Sequence, residues 1–445
     1  MIFGRSKDSA RPEAAQAQAS LLVVGAPEGE AGRAFLEALS TNPKSLPVVP
    51  GPVVPGSATS ELGGAVAVLS IFQDIFVLDQ LLRMTVAQRA SRNDGYPILI
   101  VATKLSKLSE LGHWLSKCAA EDRLQGIRLV LADDLSEVAA QILHKLDPII
   151  EPNVIKMPAS PEVDCTDFKY FYSITPELRR LVRTMRELAE NNVSRVYLLG
   201  GPGTGKTSIA YYYFLCRARG NFVTVNLTAE STGNKEAMKS LLCGHVTGAM
   251  GGVAAREGAL SYAGEGVAFL DESHGVTGVV IQVLMEVLDS GQFLPFGATK
   301  KRTLECAVIF ASNRSWEALR DLMNLDEHAR LGATIVKITA LASREEDMIA
   351  VVATCLARFS RQCTSWKAPV GFSAEAWQAY KKCKWHGNTR TLIRVTEAAA
   401  IAHSLRKNPD ELISVGEVQE AMSLWEPLEH ESLKVYTSFQ ASDLV

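Results

Sequence analysis

RVYLLGGPGTGKTSIAYYYF, Arg195 to Phe214, runs an apolar strand into a glycine turn and then into a helix. The spacing G-x-x-x-x-G-K-[ST] predicts a phosphate-binding loop, because glycines let backbone amides approach phosphate oxygens and a helix N-terminus favours negative charge. The loop comprises Gly200, Gly201, Pro202, Gly203, Thr204, Gly205, Lys206, Thr207 and Ser208. In that pattern Lys206 neutralises the β and γ phosphates of ATP and Thr207 ligates Mg²⁺. Further along, GVAFLDES sets Asp271 and Glu272 at the end of a second apolar strand. One carboxylate reaches Mg²⁺ through water and the next polarises an attacking water, so the pair predicts hydrolysis as well as binding.

The surrounding chain is long enough to house such a site among others: 445 residues, 47% of them hydrophobic, suit about three globular domains of ~150 residues. A formal charge of −3 argues against a protein that holds nucleic acid by bulk charge. Eight cysteines without a C-x-x-C pair indicate neither a zinc site nor a disulfide framework, which suits a reducing cytosol. The N-terminus has no apolar signal core, and Gln73 and Asp74 interrupt the most apolar stretch, Gly63 to Leu78. The expectation is a cytoplasmic protein with no membrane span.

Upstream, Leu21 to Ala26, Ala65 to Ile71, Pro97 to Thr103 and Ile127 to Ala132 read as buried strands, each followed by a helical pattern. Continuous apolar strands alternating with helices predict an α/β unit, a doubly wound parallel sheet over residues 21–147, behind a flexible N-terminus of residues 1–20. PVVPGPVVPG, Pro47 to Gly56, predicts an extended surface loop, since its prolines resist regular structure. Prolines from Pro148 to Pro161 mark a linker over residues 148–166. A second α/β unit is expected over 167–342, opening with a helix that Thr175 caps and Pro176 begins. A helical lid follows over 343–424, then an acidic tail over 425–445.

From about Phe168 to Leu424 the order of segments resembles the AAA+ domain of bacterial sigma-54-dependent activators, also called enhancer-binding proteins, which use ATP to remodel a stalled RNA polymerase. FVTVN looks like the family strand whose closing Asn, here Asn226, restrains the catalytic glutamate, here Glu272. GHVTGAMGGV sits in the place of the GAFTGA loop, so Gly248, Ala249, Met250, Gly251, Gly252 and Val253 would face the partner. FASN places Asn313 as the first sensor, and WHGNTRTL, similar to W-P-G-N-V-R-E-L, makes Arg390 the second. HARLGATIVKITAL makes Arg330 the arginine finger, reaching the γ-phosphate held by a neighbouring subunit. The resemblance implies a phosphate-loop AAA+ ATPase with a helical lid, cofactors ATP and Mg²⁺, and a self-assembled ring, a hexamer.

Three departures bear on function. The aromatic and the threonine that the family presents to sigma-54 are Met250 and Gly251 here, and the first of two finger arginines falls at Asn324. Residues 425–445 are acidic, unlike a helix-turn-helix, so no intrinsic DNA-binding domain is expected. The N-terminal unit reads either as a degenerate response-regulator receiver, with Ser70 where the phosphorylated Asp belongs, or as a degenerate small GTPase, with ATKLS for N-K-x-D. Either way it would bind a regulatory protein. The implied function is a ring motor that remodels a protein partner, sigma-54 RNA polymerase in transcription regulation, or alternatively a secretion, pilus or other multiprotein machine.

Overall fold

The computed structural model describes residues 19–51, 62–158, 170–227, 235–249, 254–273, 278–322, 333–406 and 410–426. The chain divides into two compact units, Met1–Ala102 with Gly126–Ile150, and Thr103–Gln125 with Glu151–Val445.

The first unit holds a five-stranded sheet of β1 (Ser20–Val24), β2 (Val48–Pro50), β3 (Ala65–Ile71), β4 (Ile98–Thr103) and β5 (Ile127–Leu131), in the order β2-β1-β3-β4-β5. Strand β1 pairs in parallel with β2 and β3, and β3 with β4. Every residue of β3 and β4 is buried, which accounts for their uninterrupted apolar sequence. Helices α1 (Glu30–Ser40), α2 (Ile75–Ala90) and α4 (Leu135–Ile142) follow β1, β3 and β5. The proline-rich stretch departs from the loop expected of it. Val48–Pro50 pairs with Leu21–Val23, and Pro50 is accommodated because β2 lies at the sheet edge, where a missing N–H breaks no further ladder. Residues 52–61 lie outside the described residues.

After β4 the chain contributes a helix, α3 (Leu108–Ala120), to the second unit before returning at Gly126. The second sheet comprises β6 (Arg195–Leu199), β7 (Phe222–Asn226), β8 (Val267–Asp271), β9 (Ala307–Ser312) and β10 (Thr334–Lys337), ordered β10-β6-β9-β8-β7 with all neighbours parallel. Alternation divides its side chains between two cores: Tyr197, Leu199, Leu270 and Phe310 enter one, and Val196, Leu198, Phe269 and Ile309 the other. Each such buried large side chain contributes ~1.5–3 kcal/mol relative to exposure. Burial on both faces leaves the carboxyl ends of β6, β8 and β9 as the polar rim, where ligands of such sheets bind.

Two local expectations change. Part of the stretch expected as a linker is built into the second unit: Val154–Lys156 pairs antiparallel with Tyr170–Tyr172, and buried Glu151 lies 2.5 Å from Arg183 Nε. Thr175 does occupy the N-cap of α5 (Pro176–Glu190), with Pro176 at its start, but its hydroxyl makes no cap hydrogen bond. It accepts instead from Asp347 N at 3.4 Å, while Asp347 Oδ1 accepts from Ile174 N at 2.6 Å and Thr175 N at 3.2 Å. A carboxylate distant in sequence thus satisfies backbone donors at the helix entry.

Asp347 belongs to α7 (Glu345–Gln362), which is followed by α8 (Ala374–Lys382), α9 (Thr389–Ser404) and α10 (Val415–Trp425) in the stretch expected to form a lid. Residues 346–359 of α7 are all buried, charged ones included. Helix α3 supplies part of that cover. A Cβ added to Gly112 would stand 1.9 Å from the Ala353 carbonyl oxygen, so the two helix backbones approach at this glycine.

Candidate functional site

Strand β6 ends at Leu199, and the loop from Gly200 leads into α6 (Lys206–Arg217). Gly200 N donates to Ser312 O at 3.1 Å, tying the loop to the end of β9. Thr204, 1% exposed, donates its hydroxyl to Gly201 O at 2.8 Å. Gly203 has φ of 68°, and a Cβ there would meet the Gly387 carbonyl oxygen at 2.3 Å, so only glycine fits beneath the lid.

Lys206 Nζ donates to Gly200 O at 2.9 Å and to Gly201 O at 3.2 Å. Burial holds its pKa below that of an ordinary lysine, against the opposing pull of Asp271 and Glu272, with Arg390 adding to the depression. The sequence-predicted residues Lys206, Asp271, Glu272 and Arg390 therefore share one electrostatic neighbourhood.

They also share one cleft of ≈ 250 Å³. Pro202, Gly203, Gly205, Lys206, Thr207 and Ser208 line the cleft, as do Asp271, the last residue of β8, and Glu272, which directly follows it. Asp271 Oδ1 accepts from Glu272 N at 2.8 Å, and Glu272 adopts φ of 55°, a left-handed turn that ends the strand. Asn226, exposed at the end of β7, is in register with Asp271, and half-buried Asn313 directly follows β9. Arg390 enters the cleft from the second position of α9. Gly248 and Ala249 form a turn, with Ala249 N donating to Val246 O at 3.1 Å, and line no part of this cleft. Met250, Gly251, Gly252, Val253 and Arg330 lie outside the described residues.

Sequence reasoning assigned no role to several residues of the site. Asn388, 3% exposed, donates from Nδ2 to Pro202 O at 2.9 Å and accepts at Oδ1 from Leu341 N at 2.8 Å. With Thr389 N donating to Gly203 O at 3.2 Å, it fastens the lid to the glycine loop. An asparagine before a helix reads as a cap, but its side chain makes no cap hydrogen bond here. Tyr170, Phe171 and Tyr172 wall the cleft, together with Arg344 and Asp347 from the start of the lid. Their charges resemble an ordinary helix start, and nothing local announces their burial.

Residues 172–333 match the family described as the Sigma-54 interaction domain. The chain is 30% identical over 232 residues to the Nif-specific regulatory protein of Azotobacter vinelandii, covering 51% of this chain and 43% of that protein. It is 26% identical over 246 residues to the regulatory protein LuxO of Vibrio cholerae, covering 54% and 53%. The chain thus spans about half the length of these curated relatives. Its fold is similar to that of NtrX from Brucella abortus at 20% identity, with a TM-score of 0.50 over 94% of this chain and 88% of that one. Among the described residues, no helix is long and apolar enough to cross a membrane. The glycine loop and the strand-end carboxylates lie within residues 172–333, the stretch that matches the Sigma-54 interaction domain of the AAA+ class, and Arg390 lies beyond it.

Proposed function

We propose that the protein is an ATPase that works as a ring, a hexamer, and remodels a protein partner. The observation that carries this reading is the convergence of Lys206, Asp271, Glu272 and Arg390 on one cleft beneath the lid. The cleft suits a nucleotide polyphosphate with Mg²⁺: cations and carboxylates stand together at the start of α6, and the loop packs so closely under the lid that a side chain at Gly203 would clash. When bound, ATP supplies the phosphoanhydride bond to be cleaved and Mg²⁺ neutralises its charge.

The chain's own residues then divide the work. The loop amides and Lys206 bind the phosphates, drawing Lys206 away from the loop carbonyls it meets at 2.9 and 3.2 Å. Thr207 and Asp271 would hold the cation. Glu272 orients water and takes its proton, with Asn226 restraining the carboxylate until nucleotide and partner are in place. Asn313 and Arg390 sense the terminal phosphate, and Arg330 of a neighbouring protomer stabilises charge in the transition state.

The likeness over 172–333 supports sigma-54 RNA polymerase as the partner, with Gly248 to Val253 as the contacting loop. The sequence of that loop favours a second reading: Met250 and Gly251 replace the family's aromatic and threonine, which suits a motor acting on another multiprotein machine. Affinity capture on a Glu272→Gln form with ATP tests both. Enrichment of sigma-54 and polymerase supports the first, enrichment of a secretion or pilus assembly the second, and hydrolysis at the wild-type rate overturns the assignment of Glu272. Mixing Arg330→Ala with Lys206→Ala protomers tests the shared site, since mixed interfaces regain activity only if the finger acts in trans.

A further inference from the structure

The cleft holds a second charged pair that phosphate chemistry does not use. Arg344 is 1% exposed and Asp347 2%, and both line the cleft. Their closest approach, Arg344 Nε to Asp347 Oδ2, is 3.9 Å, an ion pair too long for a hydrogen bond. Arg344 Nε and Nη1 and Asp347 Oδ2 are buried with no hydrogen-bond partner. Orphaned donors and acceptors of this kind each cost ~1–3 kcal/mol unless a ligand or water meets them.

The pair comes from the start of α7 and the residue before it, whereas Lys206, Asp271 and Glu272 come from the glycine loop and the end of β8. The remaining walls are flat or apolar: Tyr170, Phe171, Leu341 and Val351. A planar base suits such walls, and its edge must then meet a donor beside an acceptor.

We propose that Arg344 and Asp347 read the base of the nucleotide and select adenine over guanine. This rests on the nucleotide reading of the cleft and deepens it. Adenine offers a 6-amino donor beside a ring-nitrogen acceptor, which complements Asp347 Oδ2 and an Arg344 N–H. Guanine and hypoxanthine carry a 6-oxo group instead, which would face the carboxylate. Oδ1 of Asp347 is already committed to Ile174 N and Thr175 N, so Oδ2 is the oxygen left for the base.

The test is competition of ATP, ITP, GTP and inorganic tripolyphosphate against a ribose-labelled fluorescent ATP analogue on the full chain. Wild type is expected to prefer ATP over ITP and GTP on the order of 10–100-fold, the discrimination a good bidentate contact provides. In Asp347→Asn the backbone donors hold the amide oxygen at the Oδ1 position, which turns the amide nitrogen toward the base. The preference for ATP over ITP then falls at least about tenfold or inverts. Arg344→Met weakens ATP and ITP together, because the ring nitrogen it meets is N7, an acceptor in both bases. Nucleotide ratios, measured with thermal unfolding as a check of folding, are insensitive to the fraction of active protein. An unchanged ATP-to-ITP ratio in Asp347→Asn, or an unchanged ATP affinity in Arg344→Met, overturns the assignment, so either variant decides should the other fail to fold. Equal wild-type affinity for ATP and ITP, or tripolyphosphate competing as well as ATP, overturns base reading while leaving a phosphate site in place. Failure of every nucleotide to bind overturns the reading on which it rests.

Discussion

Two strands of this chain run through glycine turns into helices, and they part at the first helical residue. Strand β1 leads through Gly25 and Gly29 to exposed Glu30, whereas β6 leads through Gly203 and Gly205 to Lys206. In the first turn the Gln73 amide donates to Ile71 O at 2.8 Å and stands 2.0 Å from where a Cβ of Gly25 would lie. Beyond β3, Asp74 spends its carboxylate on Val77 N at 2.9 Å, capping α2, while Asp271 at the end of β8 opens onto the cleft. The backbone plan is shared and the chemistry is not. A parallel sheet supplies a place for a phosphate site, and a handful of side chains decide whether there is one.

The sharpest break in that comparison should come from Glu272→Gln, which keeps the shape of the turn and removes the base. Its turnover is expected to fall ~10²–10⁴-fold with ATP affinity little changed, measured by phosphate release and equilibrium binding. Glu30→Gln, in the corresponding turn of the first sheet, should leave both unchanged. Lys206→Ala comes next. Losing hydrogen bonds from a cation to phosphate, about 1.5–3 kcal/mol, weakens ATP binding roughly 10–150-fold in a titration. Loss of ATPase in the Glu30 variant, or retained affinity in the Lys206 variant, would mean that the turns had been assigned in the wrong order.

Those predictions rest on residues that the sequence displays openly, because Lys206 and the Asp271–Glu272 pair sit at fixed spacings beside apolar strands. The strands themselves were legible for the same reason: β3, β4, β8 and β9 are apolar runs buried on both faces. What stayed hidden depends on distant partners. Asn388 looks like a cap and instead bonds the loop at Pro202, and Thr175 looks like a cap and instead meets Asp347. Val48–Pro50 pairs despite its proline because an edge strand tolerates one, and a sequence pattern does not tell an edge from a loop. Arg344 and Asp347 read as a solvated helix start, since burial of a charge is a property of packing and not of spacing.

Helix α3 sharpens the comparison at an intermediate scale, because it is strung between strands of the first sheet and packs in the second unit. Gly112→Val forces a side chain against the Ala353 backbone, where a Cβ has only 1.9 Å, and backbone cannot rotate away as a side chain does. Overpacking of this kind costs ~1–3 kcal/mol or more, a fall of roughly 2–10 °C in Tm for a domain of this size. Calorimetry should place the loss in the transition that ATP binding raises. A loss confined to a transition that ATP does not move would return α3 to the first unit.

The smallest effect is expected at Ser70, the position that a receiver-like reading gives to a phosphorylated carboxylate. Its side chain is 0% exposed and its hydroxyl has no hydrogen-bond partner. Deleting an unsatisfied buried hydroxyl relieves a desolvation cost and opens a void of only one atom, so the two contributions nearly cancel. Ser70→Ala should therefore change stability by about 0–1 kcal/mol in the stabilising direction and leave ATPase turnover untouched. Asp271→Ala, at a strand end of the second sheet, should by contrast impair hydrolysis with little change in Tm. If Ser70→Ala lowers Tm by several degrees or alters turnover, the hydroxyl is held by a partner and the first sheet keeps a polar site of its own. In that event the contrast between the two sheets would be one of kind of chemistry rather than of its presence.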